Sequence, residues 1–221
     1  MSLITFEDIK NNKEIKTYVE AGDEHLRIKG YTKHDFDHVT KVGETASGIL
    51  ESLGFSEREV ELAKISAYIH DIGNMVNRQE HAQTGACICF NILTRLGMEP
   101  EEIAIIVSSI GNHDEEVGLP VNPVAAALIL GDKTDVRRSR VRNNDFATFD
   151  IHDRVNYAVE EANVKVDGVN RSIELVLTID TSICPLMDYF EIFLSRMLLC
   201  RKAADFLNSK FNLIINRTKM L

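Results

Sequence analysis

Six residues, Tyr68-Ile69-His70-Asp71-Ile72-Gly73, constrain the fold more than any other stretch of this chain. Seven of the ten residues before Asp71 are apolar or small, so an imidazole and a carboxylate stand at the end of a greasy helix. Neither group is buried cheaply without a compensating partner. A metal ion is the natural partner, and its other ligands must come from elsewhere in the chain.

The remaining pattern is helical for about two thirds of the length. Residues 7–30 read as one amphipathic helix, with Ile9, Ile15, Val19 and Leu26 at helical spacing. His38 opens a helix that runs to about Leu53, where Gly54 stops it. Ser56-Glu57-Arg58-Glu59 is a capping-box pattern and starts the helix that ends at His70-Asp71. Glu80 to Leu96 reads as a helix with His81 in its first turn, and Pro100 opens another that closes at His113. An apolar helix from Val124 to Leu130 leads into Asp132 and a basic run to Arg142.

After Asn143 the periodicity changes. Asp150 is a cap for a short helix carrying Val155, Tyr157, Ala158 and Val159. Val164-Lys165-Val166 before Asp167-Gly168, and the alternation of Ile173, Leu175, Leu177 and Ile179, predict two strands joined by a turn. A long helix follows Pro185, and Leu213-Ile214-Ile215 predict a last strand. The expected organisation is mainly α: an all-α bundle over 1–145 with a small α+β appendage over 146–221. That appendage has three candidate uses: lining the mouth of a site, pairing across a homodimer, or covering an apolar face of the bundle.

Composition narrows the function classes. Hydrophobic residues are 44%, enough for a real core, and no run of 18 apolar residues predicts a membrane span. The stretch MSLITFEDIKNNKE is too polar for a signal peptide's apolar region, so a cytoplasmic location is expected. A formal charge of −9 argues against gripping nucleic acid backbones. Cys87, Cys89, Cys184 and Cys200 form no Cys-x-x-Cys pair and are expected to be buried or half-buried apolar residues.

His38, His70-Asp71, His81, His113 and Asp132 all fall near helix ends, the way a helical bundle builds a metal site at its centre. Imidazole and carboxylate donors suit iron, manganese, nickel or zinc, whereas magnesium prefers oxygen alone. His25, His34 and His152 read as caps or surface groups. Lys133, Arg137 and Arg140 share one face if the basic run is helical, beside Asp132, and are candidate phosphate-binding residues. The alternative is a solvated helix face, with Arg138 and Arg142 free to anchor the appendage. Asp135, one turn from Asp132, is a candidate acceptor supporting the metal ligands, or a general acid–base group.

His38, His70-Asp71 and Asp132, in this order and each on a helix, resemble the H…HD…D signature of the HD superfamily of metal-dependent phosphohydrolases over residues 30–142. His81 and His113 are similar to the additional pair of two-metal subfamilies. The resemblance implies one ion on His38, His70, Asp71 and Asp132, a second on His81 and His113, and Asp71 bridging. It makes Asp71, His81 and His113 the candidate catalytic residues, and a nucleotide or other small phosphorylated metabolite the expected substrate.

A one-metal site, with His81 and His113 as phosphate-binding or acid–base residues, is the other arrangement the residues allow. Glu80-His81-Ala82-Gln83-Thr84-Gly85-Ala86 resembles a segment of bacterial symmetrical diadenosine tetraphosphate hydrolases, whose aspartate is likewise followed by an arginine-bearing turn. The chain also resembles HD-GYP phosphodiesterases at His70–Gly73, but Asn74, Asn112 and Leu119 depart from their pattern. Two other functions share such a ligand list: a di-iron oxygenase, and a catalytically silent metal-bearing regulatory module.

Overall fold

The computed structural model describes residues 3–221. Its helices begin and end where local chemistry dictates. Thr5 and Ser56 form capping boxes at α1 (Phe6–Asn11) and α4 (Glu57–Ile69), each hydroxyl accepting the N–H three residues on. Residues 7–30 are two helices rather than the single one expected, α1 and α2 (Lys13–Ile28). Asn12 leaves the helical region at ψ 122, and its side chain accepts the N–H of Ile15 to start α2. A local cap outcompetes one more helical turn there.

Five further helices complete the bundle: α3 (Phe36–Ser52), α5 (His81–Leu96), α6 (Pro100–Gly111) and α7 (Pro123–Lys133), with α4 between α3 and α5. Gly97 at φ 79 closes α5 in the left-handed region, and proline at the first turn opens α6 and α7. Helix α7 is buried at every position from Val124 to Lys133, which makes it the central rod of the bundle.

The C-terminal third is α8 (Ile151–Ala158), β1 (Val159–Asp167), β2 (Ser172–Ile179), α9 (Leu186–Phe206), β3 (Lys210–Ile215) and β4 (Thr218–Lys219). Val159, expected on the helix, already belongs to β1. The sheet order is β1-β2-β3-β4, with β1 antiparallel and β3 parallel to β2. The α9 crossover supplies the long connection that a parallel pair needs. Ile173, Leu175, Leu177 and Ile179 turn inward as the alternation predicts, beside Phe211, Leu213 and Ile215.

Helix α9 packs on α7, and one hydrophobic cluster runs from Ile9 through the bundle to Ile215. Among the described residues, no helix is long and apolar enough to cross a membrane. Cys89, Cys184 and Cys200 are buried; Cys87 is exposed, because the outer face of α5 has nothing packed on it at that position.

Candidate metal centre

Two close approaches of backbone create the site. Gly73 follows the His-Asp pair, and a Cβ there would collide with the carbonyl oxygen of His81 and lie 2.7 Å from the N of Gly85. Only glycine lets α5 start directly against the turn that carries Asp71. Gly131 does the same for α7: a Cβ would sit 2.7 Å from the carbonyl oxygen of Val42 on α3. Asp132, one residue on, is thereby brought to His38.

The result is a nest of buried side chains. His38, His70, His81 and His113 are each no more than 1% exposed, and Asp71 and Asp132 are buried beside them. Asp71 Oδ2 lies 3.1 Å from His70 Nε2 and 3.7 Å from His38 Nε2. Asp71 Oδ1 lies 3.4 Å from His81 Nε2 and 3.9 Å from His113 Nε2. Asp132 Oδ1 is 3.4 Å from His38 Nε2 and 3.8 Å from His70 Nε2. Each oxygen of Asp71 therefore faces a different histidine pair.

The far side of every ring is already committed. Nδ1 of His38 donates to Asp135 at 2.7 Å. Nδ1 of His70, His81 and His113 donates to the carbonyls of Ala67, Arg78 and Ile110 at 2.7, 3.0 and 2.6 Å. That pattern fixes the ring orientations and points each Nε2 inward. His81 Nε2 and His113 Nε2 face each other at 3.2 Å. Nε2 of His38 and of His70 has no hydrogen-bond partner, although both are fully buried.

Converging lone pairs and carboxylates ask for positive charge. Burial pushes Asp71 and Asp132 up, yet His70 beside Asp71, and Lys133 and the histidines beside Asp132, hold both well below the usual carboxylate range. Burial likewise opposes a charge on His70, but Asp71 and Asp132 outweigh it and raise that ring to about 10. Burial, then positive neighbours, push His113 well below its ordinary value and keep it an acceptor. Three sets of ligand atoms, His38-His70-Asp71, His70-His113-Asp132 and Asp71-His81-His113, are each close enough to share one ion. Four imidazoles with two carboxylates form a donor set fit to hold a divalent metal ion.

The site opens into a cleft of about 970 Å³, walled on one side by α8 and α9. His152, expected on an ordinary surface, faces this cleft from α8. His34 was expected to be a cap or surface group. Instead its Nδ1 donates to the carbonyl of Thr32 at 2.8 Å and its Nε2 lies 4.0 Å from Asp71 Oδ2. Its spacing of four residues from His38 was the available signal. Arg78, in the turn after Asp71, lies 3.9 Å from Asp71 Oδ1 and 3.3 Å from His81 Nε2, and also lines the cleft. Asn74 donates to Asp71 Oδ1 at 2.8 Å and fixes the carboxylate plane.

The basic run is not helical. Helix α7 stops at Lys133, and Arg137 is extended before a 3-10 turn over Arg138–Arg140. The shared face of Lys133, Arg137 and Arg140 therefore does not form. Lys133 is buried and paired at 2.7 Å with both Asp132 Oδ2 and Glu115 Oε2. Arg137 holds Asp135 through Nε at 2.5 Å, and is not among the residues lining the cleft. Arg140 lines the cleft, but it donates to the carbonyls of Lys33 and Asp135 at 3.0 and 2.8 Å and stitches the His34 segment to the loop after α7. Arg138 donates to the carbonyl of Tyr157 and lies over its ring, tying α8 down, whereas Arg142 pairs with Asp23 of α2.

The chain is similar to an uncharacterized protein of Methanocaldococcus jannaschii, 24% identical over 194 residues, covering 77% of this chain and 74% of that protein. It is also similar to the crystal structure of a "predicted HD superfamily hydrolase" from an uncultured Thermotogales bacterium. That match has 23% identity and a TM-score of 0.46, and covers 57% of this chain and 68% of the other. The family model described as HD domain matches residues 35–137, from the cap of the His38 helix to just beyond Asp132. The bundle around His38, His70-Asp71 and Asp132 is thus an HD domain, spanning residues 35–137 of the chain.

Proposed function

We propose that this chain is a metal-dependent hydrolase of HD type that cleaves a phosphoester or phosphoanhydride bond in a nucleotide or related small phosphorylated metabolite. The observation that carries the reading is the division of labour at Asp71, whose two oxygens each face a separate buried histidine pair. Two ions fit that arrangement: one on His38, His70, Asp71 and Asp132, the other on Asp71, His81 and His113. A carboxylate shared by two cations would offset part of their repulsion. Bound there, such ions supply Lewis acidity and an ionised water at neutral pH.

The chain's own residues do the rest. Carbonyls and Asp135 hold the four rings in fixed orientations, each with its Nε2 inward. Arg78, on the cleft side of Asp71, is a cation placed to take non-reacting phosphate oxygens, as a fork of N–H groups. Lys133 and Arg140 stand farther back, and both already have protein partners. Residues of α8 and α9 form the wall on one side of the cleft.

Metal analysis of the purified protein, followed by a phosphate-release screen over nucleotides and sugar phosphates with iron, manganese and magnesium, tests the reading. Release that depends on the metal and fails in His81→Ala is the expected result. No release with any metal, together with oxygen uptake in the presence of iron, would overturn it.

A further inference from the structure

Helix α9 reaches the metal centre through a chain of charged side chains. Arg196 Nε lies 3.1 Å from Glu115 Oε1. The other oxygen of Glu115 lies 2.7 Å from Lys133 Nζ, which in turn lies 2.7 Å from Asp132 Oδ2. The ring of Phe193, on the preceding turn of α9, sits 4.8 Å from the Arg196 guanidinium and holds it in place. Two positive and two negative groups alternate along this path, so the inner pair, Glu115 and Lys133, each has an opposite charge on both sides.

We propose that Arg196, Glu115 and Lys133 are positioning residues, through which α9 sets how Asp132 meets the metal centre. The inference rests on the metal-centre reading above. Lys133 occupies Asp132 Oδ2, and only Oδ1 is left facing Nε2 of His38 and His70. Asp132 is thereby restricted to one oxygen for the ion. A buried ammonium beside a metal ligand would ordinarily repel the ion. Glu115 draws part of that charge back toward α9, and Arg196 keeps Glu115 in place. Without Arg196, Glu115 loses its anchor on α9, Lys133 loses its fixed position, and the carboxylate of Asp132 is free to rotate.

This gives the C-terminal region a role beyond covering the bundle, and it recasts Lys133. The sequence places Lys133 beside Asp132 and suggests phosphate binding; its two carboxylate partners point to holding a ligand instead.

Titration of the metal-free chain with Mn²⁺, followed by calorimetry, tests the proposal. Removing a group that orients a metal ligand typically costs at least about tenfold in metal affinity. Arg196→Ala and Glu115→Gln should each weaken Mn²⁺ binding by about that factor, and Arg196→Lys should recover most of the loss because it keeps the charge on Glu115. A residue that merely supports the fold would lower the melting temperature and leave the affinity of the folded protein unchanged. Glu115→Gln keeps the side-chain shape and carries the test if Arg196→Ala does not fold. Wild-type Mn²⁺ affinity in folded Glu115→Gln would overturn the positioning role and leave the metal centre standing. A wild-type chain that binds no Mn²⁺ would overturn both.

Discussion

Gly73→Ala offers a direct test of how the second histidine pair is held. The added Cβ would collide with the carbonyl oxygen of His81 and stand 2.7 Å from Gly85 N, where ordinary contact begins at 3.4 Å. The start of α5 must therefore retreat by about 0.7 Å at Gly85, and by more at His81. The hydrogen bond from His81 Nδ1 to Arg78 and the approach of Nε2 to Asp71 Oδ1, at 3.0 and 3.4 Å, would stretch by a similar amount. Overpacking of this kind costs about 1–3 kcal/mol. At roughly 2–4 °C per kcal/mol for a chain of this size, the melting temperature should fall by about 2–12 °C. Metal counting by mass spectrometry should show the ion on His81 and His113 lost first, while the one on His38, His70 and Asp132 stays. Unchanged stability with two ions retained would refute the argument that glycine is needed for α5 to close on Asp71.

Asp71→Ala should abolish metal binding and phosphate release together, and a wild-type metal content in that variant would contradict the bridging role. Arg78→Ala should keep its metal but raise the KM for a phosphorylated substrate about tenfold, the loss expected for one charged hydrogen bond; an unchanged KM would remove Arg78 from the substrate site. Burial alone would raise Asp135, but hydrogen bonding to His38, and Arg140 and Arg137 beside it, depress its folded pKa. Its stabilising contribution is then complete above the unfolded value of about 3.9, and is lost as pH falls from there toward the depressed value. Thermal melts of metal-free protein should show the gap between wild type and Asp135→Asn narrowing as pH drops from about 5 to 2; a constant gap would refute the linkage.

Much of the site was legible because its residues obey local rules. Ser56, Gly97 and Pro100 mark helix boundaries by their own backbone chemistry, and they place His70 and His113 near helix ends without reference to anything distant. The inward alternation of Ile173, Leu175, Leu177 and Ile179 is equally local. What escaped depends on partners remote in sequence. Lys133 reads as a free cation until Glu115 and Asp132 are seen to share it. Arg137 and Arg140 read as helical neighbours until Asp135, held under His38, draws both toward itself and the chain leaves the helix at Thr134. His34 reads as a surface group because its proximity to Asp71 is created by the turn before α3. Asn12 is a polar residue among polar residues, and only its cap geometry separates α1 from α2.

The parallel pairing of β2 with β3 has a consequence for how this protein comes off the ribosome. β2 cannot gain its second neighbour until α9 has been made, has crossed the sheet, and residues 210–215 have followed. Pairings between segments so far apart form late, because the entropy of closing the intervening loop must be met first. The segments that carry His38, His70, Asp71 and Asp132 all precede α9, so the Arg196 side of the cleft is the last part of the site to be put in place.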